Sequence, residues 1–147
     1  MMIEKIYTYK PGVINSSSTS LFLLMAVLLT VQKYSKISLW LLQIYVWGLL
    51  NDDNRMQVIR WRISNNISTT PWLDNINQQS VITQCLSNNL LKLETTKNGK
   101  INIELGASAH IILADVDDLD LTREIKYNLA SMGRLTDTMI GNLQLEF

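Results

Sequence analysis

Two apolar runs dominate the hydrophobic pattern of the first third of the chain. Residues 21–31 (LFLLMAVLLTV) and 39–50 (LWLLQIYVWGLL) contain no charged side chain. In the first run, apolar residues occupy nearly every position around a helix, which is typical of a helix in the middle of a core. Serines precede both runs, and a serine oxygen can cap a helix N-terminus. The pattern predicts a central helix over 19–33 and a second helix that follows Ser38.

The same two runs raise the question of a membrane segment. A helix needs about twenty apolar residues to span a bilayer, and these runs have eleven and twelve. Lys33 and Lys36 lie between them, where a bilayer core would penalise both charges. Glu4 and Pro11 do not fit a signal peptide, and no small-residue cleavage site follows Val31. We therefore expect no membrane location, and without a targeting segment we expect the cytoplasm.

A β-hairpin is the clearest local pattern further along the chain. Residues 90–96 (LLKLETT) and 101–105 (INIEL) flank Asn98-Gly99, and apolar and polar side chains alternate in both runs. Two such runs around Asn-Gly are a strong hairpin signal, because both turn residues tolerate a positive φ. The pattern predicts two paired strands, and the second strand ends before Gly106.

The remaining patterns predict shorter helices within one domain. Helical periodicity covers 55–64, 71–89 with a break near Gln78, 107–116, and two C-terminal stripes, 121–132 and 135–143, on either side of Gly133. We predict an N-terminal arm over 1–18 and a single domain over 19–147. Because helices followed by a hairpin are the order of a winged helix-turn-helix domain, we expect a mainly α fold with a small β-hairpin, winged-helix-like, with C-terminal helices.

Composition and charge narrow the classes of function. The 147 residues carry 13 basic and 13 acidic side chains, so the net charge is zero and a generic polyanion binder is disfavoured. Residues 1–100 hold ten Lys/Arg against five Asp/Glu, whereas residues 101–147 hold three against eight. Such polarity orients the protein against partners, or makes the two parts of the chain attract each other in the fold, or is simply an unevenly charged solvated surface.

The candidate chemistry is sparse. One cysteine and one histidine exclude a disulfide framework and a multi-ligand zinc site. Cys85 lies on an apolar stripe and is expected to be buried and inert, and His110 is expected on a helix with one face on the core. The acidic string could attract a hard cation but fits a helix start better: Asp115, Asp117, Asp118 and Asp120. We expect no enzyme activity, metal, cofactor or small-molecule substrate.

In a winged helix-turn-helix domain that binds DNA, the helix before the hairpin enters the major groove and the hairpin, or wing, touches the backbone. Here that helix, 78–89 (QQSVITQCLSNN), has no Lys or Arg, although phosphate contacts dominate DNA affinity. The candidate contacts to a partner or to DNA are three arginines beside Trp61 and three lysines of the wing: Arg55, Arg60, Arg62, Lys92, Lys97 and Lys100. The charge pattern favours protein docking over DNA.

The order of elements also resembles a known family. After Asn15-Ser16 comes a long Leu-rich stretch (SLFLLMAVLLTVQKYSKISLWLLQIYVWGLL), then a helix before a hairpin (VITQCLSNNLLKLETTKNGKINIEL), then a Gly-Ala segment that leads to terminal helices (LGASAHIILADVDDLDLTREIKYNLASMGRL). Over residues 15–145 this layout is similar to the middle component of bacterial ABC-three component systems. These small proteins accompany an SMC-like coiled-coil ATPase and an effector, and the group includes Lamassu-type defence.

The resemblance implies a non-catalytic accessory subunit. It would bind an SMC-like ATPase near its head domains and couple DNA sensing to an effector in anti-phage or anti-plasmid defence, with DNA reached through the complex. The wing and the terminal helices are the expected docking surfaces. The alternative is a stand-alone winged-helix DNA-binding transcription regulator that uses the six cations, and a small membrane-associated protein is a third class.

Overall fold

The computed structural model describes residues 16–67 and 75–139. The fold is mainly helical, with a small antiparallel sheet. The elements in chain order are α1 (Ser16–Tyr34), β1 (Lys36–Ser38), α2 (Leu39–Leu50), α3 (Asp52–Ser64), α4 (Asn75–Ser87), β2 (Leu91–Thr95), β3 (Ile101–Leu105), α5 (Ala109–Val116), α6 (Asp120–Met132) and a 3-10 turn (Asp137–Met139).

Helix α1 lies at the centre of the fold. All seven residues from 25 to 31 are at most 2% exposed. The helix is covered by α2, α4, α5 and α6 and by strands β1 and β3. This confirms the prediction of a central helix, because a helix that is apolar all round is stable in water only when other elements cover every side.

The N-terminal arm that we predict over 1–18 overlaps this helix. Helix α1 begins at Ser16, so residues 16–18 are helical, and residues 1–15 lie outside the described part of the chain. In the part of the chain that the structure describes, no helix has both the length and the hydropathy that a membrane crossing requires.

Strand β1 occupies a position where the sequence pattern predicts only a short polar turn. Ser35 takes a positive φ of 64° and ends α1, and the next three residues pair antiparallel with β3. Ile37 pairs with Ile103, and both side chains are buried. Three residues are too few for a visible alternation, and the partner strand is distant in sequence, so the local pattern does not reveal β1.

Caps set the start of the next two helices. Ser38 caps α2 as expected, since its Oγ accepts a hydrogen bond from the Leu41 amide at 3.3 Å. Helix α3 begins at Asp52, earlier than the predicted residue 55, because the side chain of Asn51 caps it through the Asn54 amide at 2.8 Å. Helix α4 continues through Gln78, so the predicted break there is wrong; residues 71–74 of that predicted helix lie outside the described residues.

Residues 135–139 do not form the first part of the helix predicted over 135–143, and residues 140–143 lie outside the described part of the chain. Gly133 ends α6 with a φ of 73°, and only the 3-10 turn Asp137–Met139 follows before the described residues end. The backbone has other partners here: the Gly133 carbonyl accepts from the hydroxyls of Tyr34 and Tyr45, and the Leu135 amide donates to the Tyr45 hydroxyl. These bonds fix the backbone of residues 133–135 against α1 and α2.

The sheet has the order β1-β3-β2, and β2 and β3 form the predicted hairpin. Its base rests on the end of α4 through Gly106. The Gly106 amide donates to the Leu90 carbonyl at 2.9 Å, and a Cβ at this position would lie 2.2 Å from the Asn89 carbonyl oxygen. Only a glycine lets the two backbones approach so closely.

We expect Gly106→Ala to lower the free energy of unfolding by about 2–3 kcal/mol, because the obstructing atoms belong to backbone that cannot rotate away. The matched control is Gly99→Ala in the hairpin turn, where a positive φ costs about 1 kcal/mol but no atom lies within 4 Å of the new Cβ. Urea denaturation measures both changes. Equal losses in the two variants would contradict the close packing at Gly106.

Candidate functional site

The candidate site is the wing, which comprises strands β2 and β3 and the turn between them. The Thr96 amide donates to the Lys100 carbonyl and the Gly99 amide to the Thr96 carbonyl, each at 2.9 Å. The Asn-Gly signal predicts a positive φ at both turn residues. Gly99 has a φ of 77°, but Asn98 does not have a positive φ. A tight turn followed by one left-handed glycine is the usual geometry of a slightly longer hairpin loop.

The outer face of the wing carries a network of ion pairs. Lys36 lies opposite Glu104, and Glu104 lies opposite Lys92. The lysine Nζ atoms lie 3.7 Å and 3.6 Å from the Glu104 carboxylate, and Lys36 is also 2.6 Å from Glu94. The hydrogen bond to Glu94 raises the pKa of Lys36 above its usual value. The positive charge of Lys92 is therefore partly balanced within the sheet.

The opposite face of the wing is apolar, and its distal part is uncovered. Leu91 and Ile103 are buried against the helices, whereas Leu93 is 53% exposed and Ile101 is 40% exposed. Lys97 at the tip is exposed and has no ion-pair partner among the described residues. The wing thus presents two apolar side chains and one free cation to solvent.

Lys100, in the turn at the distal end of the wing, is tied to the segment after α6. Its Nζ forms an ion pair with Asp137, whose other oxygen accepts a 2.6 Å hydrogen bond from Ser38. Asp137 therefore connects the wing to the residue that caps α2. Beside this junction is an open cavity of about 290 Å³ whose lining includes Tyr34, Lys36 and Arg134.

The three candidate arginines lie on α3, which packs on α2 and α6 rather than on the wing. The Arg55 side chain is only 14% exposed, pairs with Asp52, and donates to the Gly48 carbonyl at 3.3 Å. The Arg62 side chain packs against Gly133. Arg60 is exposed. The three side chains therefore do not form one basic cluster.

Trp61 is also unavailable as a stacking surface for a nucleic acid base. It is 2% exposed, and its ring stacks on Trp47 with centroids 5.6 Å apart. The aromatic side chain beside the arginines is therefore part of the core, where α2 and α3 meet.

Helix α4 precedes the wing, as the helix that enters the major groove does in a DNA-binding winged helix. Its exposed side chains include Gln79, Thr83 and Gln84, and Asn75–Ser87 contains no Lys or Arg. A helix with neutral amides on its exposed face lacks the cations that phosphate binding requires.

The residues with possible redox or metal chemistry lie apart. Cys85 is buried, as predicted, and desolvation raises the pKa of its thiol to about 11, which makes it a poor nucleophile. His110 is exposed on α5. Among the described residues, no group of three His, Cys, Asp or Glu side chains is placed to hold a metal ion. Asp120 lies in the first turn of α6, where a carboxylate complements the helix dipole.

Sequence reasoning found the wing lysines but missed their partners. Lys36 and Asp137 both contact the wing, although each is remote from it in sequence. Recognition of β1 would have placed Lys36 opposite Glu104, because cross-strand neighbours follow from strand register. No local pattern points to Asp137, because its contact with the wing depends on tertiary contacts of the segment after α6.

The position of that segment depends on Tyr45. Its buried hydroxyl accepts from the Leu135 amide at 2.7 Å and donates to the Gly133 carbonyl at 2.9 Å. Desolvation raises the pKa of Tyr45 far above its usual range, so the hydroxyl keeps the proton that it donates.

We expect Tyr45→Phe to lower the free energy of unfolding by about 1–3 kcal/mol, because the buried Leu135 amide loses its partner. Tyr34→Phe is the matched control: it removes a 3.2 Å bond to a Gly133 carbonyl that also accepts from Tyr45, leaves the Leu135 amide its partner, and should cost less than about 1 kcal/mol. Urea denaturation distinguishes the two. A larger loss in Tyr34→Phe than in Tyr45→Phe would contradict this assignment.

Comparisons of the chain with family models, with curated proteins and with solved structures found no match.

Proposed function

We propose that this protein is a non-catalytic, cytoplasmic adaptor that docks on an SMC-like coiled-coil ATPase and helps couple DNA sensing to an effector in anti-phage or anti-plasmid defence. The observation that carries the docking role is the exposed surface of the wing, where apolar Leu93 and Ile101 accompany Lys97 at the tip. A mixed apolar and charged surface suits a protein partner better than a phosphate backbone. The partner class follows from the family resemblance of the element order.

The topology supports a winged-helix-like domain. The sheet order β1-β3-β2, with the last two strands forming the wing, fits that fold. A winged helix places two helices between its first two strands, whereas this chain places α2, α3 and α4 there.

A stand-alone DNA-binding regulator is the second candidate. Arg60 and Lys97 favour it, since both are exposed and neither has an ion-pair partner in the described ranges. Against it, Lys92 and Lys100 already pair with carboxylates, and α4 offers no cation. Two isolated cations give little of the counterion release on which DNA affinity depends.

We expect the full chain to capture an SMC-like coiled-coil ATPase. Ile101→Thr should weaken capture by about tenfold, because it removes an exposed apolar contact while keeping strand propensity. The matched control is Ile111→Thr, which changes a 57% exposed isoleucine on α5, outside the wing. Binding measured with the purified ATPase gives both affinities. Absence of any ATPase partner would remove the proposal.

A mobility-shift assay with duplex DNA over a range of salt concentrations tests the alternative of a DNA-binding regulator. We expect no shift at physiological salt by the isolated protein. Binding that falls steeply with salt, and that Arg60→Glu together with Lys97→Glu abolishes, would instead establish the DNA-binding regulator.

A further inference from the structure

Strand β2 is an outer strand of the sheet. Its inner side pairs with β3, and no described residue pairs with its other side. Two hydrogen bonds fix which residues face that edge: the Gly106 amide donates to the Leu90 carbonyl and the Thr96 amide to the Lys100 carbonyl. Since bonded and non-bonded pairs alternate along an antiparallel ladder, Leu91, Leu93 and Thr95 direct their backbone N–H and C=O groups outward.

The side chains of this edge are arranged symmetrically about Leu93. Lys92 and Glu94 flank it on the outer face of the sheet, and Leu93 itself is 53% exposed on the apolar face. A strand with opposite charges on either side of a central apolar residue is complementary to a copy of itself that runs in the opposite direction.

We propose that β2 pairs antiparallel with β2 of a second copy of this chain, centred on Leu93, so that the two sheets form one sheet of six strands, three from each copy. In this register Leu93 lies opposite Leu93, and Leu91 opposite Thr95. All of these residues direct their backbone groups to the free edge, so every outward N–H and C=O of both strands finds a partner. The exposed Leu93 side chains meet on the apolar face.

The charges select this register. Lys92 of each copy lies opposite Glu94 of the other, so the interface contains two such pairs. Both are non-hydrogen-bonded pairs, in which cross-strand side chains come closest. A slip of two residues in either direction sets Lys92 opposite Lys92 or Glu94 opposite Glu94. A slip of one residue turns the apolar side chains to the wrong face. The centred register also extends the alternating row that Lys36, Glu104 and Lys92 form within one sheet.

The pairing is expected to be reversible. A five-residue strand gives an interface smaller than the standard size of stable complexes, so the dimer should depend on concentration and exchange quickly. Lys97, at the tip of the wing, stays outside the paired segment. Leu93 belongs both to this interface and to the proposed docking surface, so a second copy and an ATPase would compete for it. Self-association of the purified chain is measured without an ATPase and therefore does not depend on the proposed adaptor role.

Sedimentation velocity of the full chain over a range of micromolar concentrations tests the proposal, with a monomer–dimer equilibrium as the expected result. Lys92→Glu and Glu94→Lys should each weaken dimerisation by about tenfold, because each places like charges opposite one another at two positions. The double variant K92E/E94K exchanges the charges and should restore dimerisation. Lys97→Glu is the matched control, with the same charge change outside the paired segment, and should leave the equilibrium unchanged.

Mixing gives the sharpest result. In a mixture of Lys92→Glu and Glu94→Lys chains, both cross-strand pairs are opposite in charge only in the mixed dimer, so heterodimers should form where neither variant associates alone. Leu93→Pro tests the backbone. It removes an outward N–H that the wing does not use internally, so the monomer should stay folded by circular dichroism and fail to dimerise.

Three results would overturn the proposal. One is a monomer at every concentration, which is also the expected result if another segment of the chain covers the β2 edge. The second is a dimer whose equilibrium Lys92→Glu, Glu94→Lys and Leu93→Pro leave unchanged, which would place the interface elsewhere. The third is a failure of the two single-charge variants to associate on mixing.

Discussion

The structure depends on one constraint, which is that α1 must be covered on every side. Its residues 25–31 are apolar apart from Thr30, whose hydroxyl donates to the Ala26 carbonyl within the same helix. Exposing even part of such a surface to water is costly, at about 25 cal/mol for each Å² of apolar area. The other elements therefore surround α1. The sheet is one part of this covering layer, and its strands contact α2 and α4 as well as α1.

The backbone polar groups that this covering layer buries must also be hydrogen-bonded. Buried backbone groups need partners, and around the end of α6 tyrosine hydroxyls supply them. Because Tyr45 holds the Gly133–Leu135 backbone, the segment after α6 runs towards the wing, and Asp137 reaches both Ser38 and Lys100. The wing is thereby anchored at both ends, by Gly106 at its base on the end of α4 and by Asp137 at its turn through Lys100.

The sequence predicted the elements that are specified by a few neighbouring residues. The apolar run around Met25, the serine before α2 and the Asn-Gly turn each specify their structure within a few residues. Strand β1 and the Lys100–Asp137 contact have no such signal, because each exists only after distant parts of the chain meet. Residues 135–139, the described part of the helix predicted over 135–143, are not α-helical for the same reason: Tyr45 forms tertiary hydrogen bonds with the backbone of Gly133 and Leu135.

The ion pairs of the wing illustrate why the arrangement of charges matters more than their number. Lys92, Glu94 and Glu104 are all partly exposed, and an exposed pair contributes at most about 1 kcal/mol to stability. Their larger effect is on what the surface can bind. A row of alternating charges presents no net attraction to a polyanion, but it penalises any strand or surface that brings a like charge to the wrong position. Such a row, beside an uncovered apolar face, therefore selects among protein surfaces by register, which a helix or sheet of uniform charge cannot do.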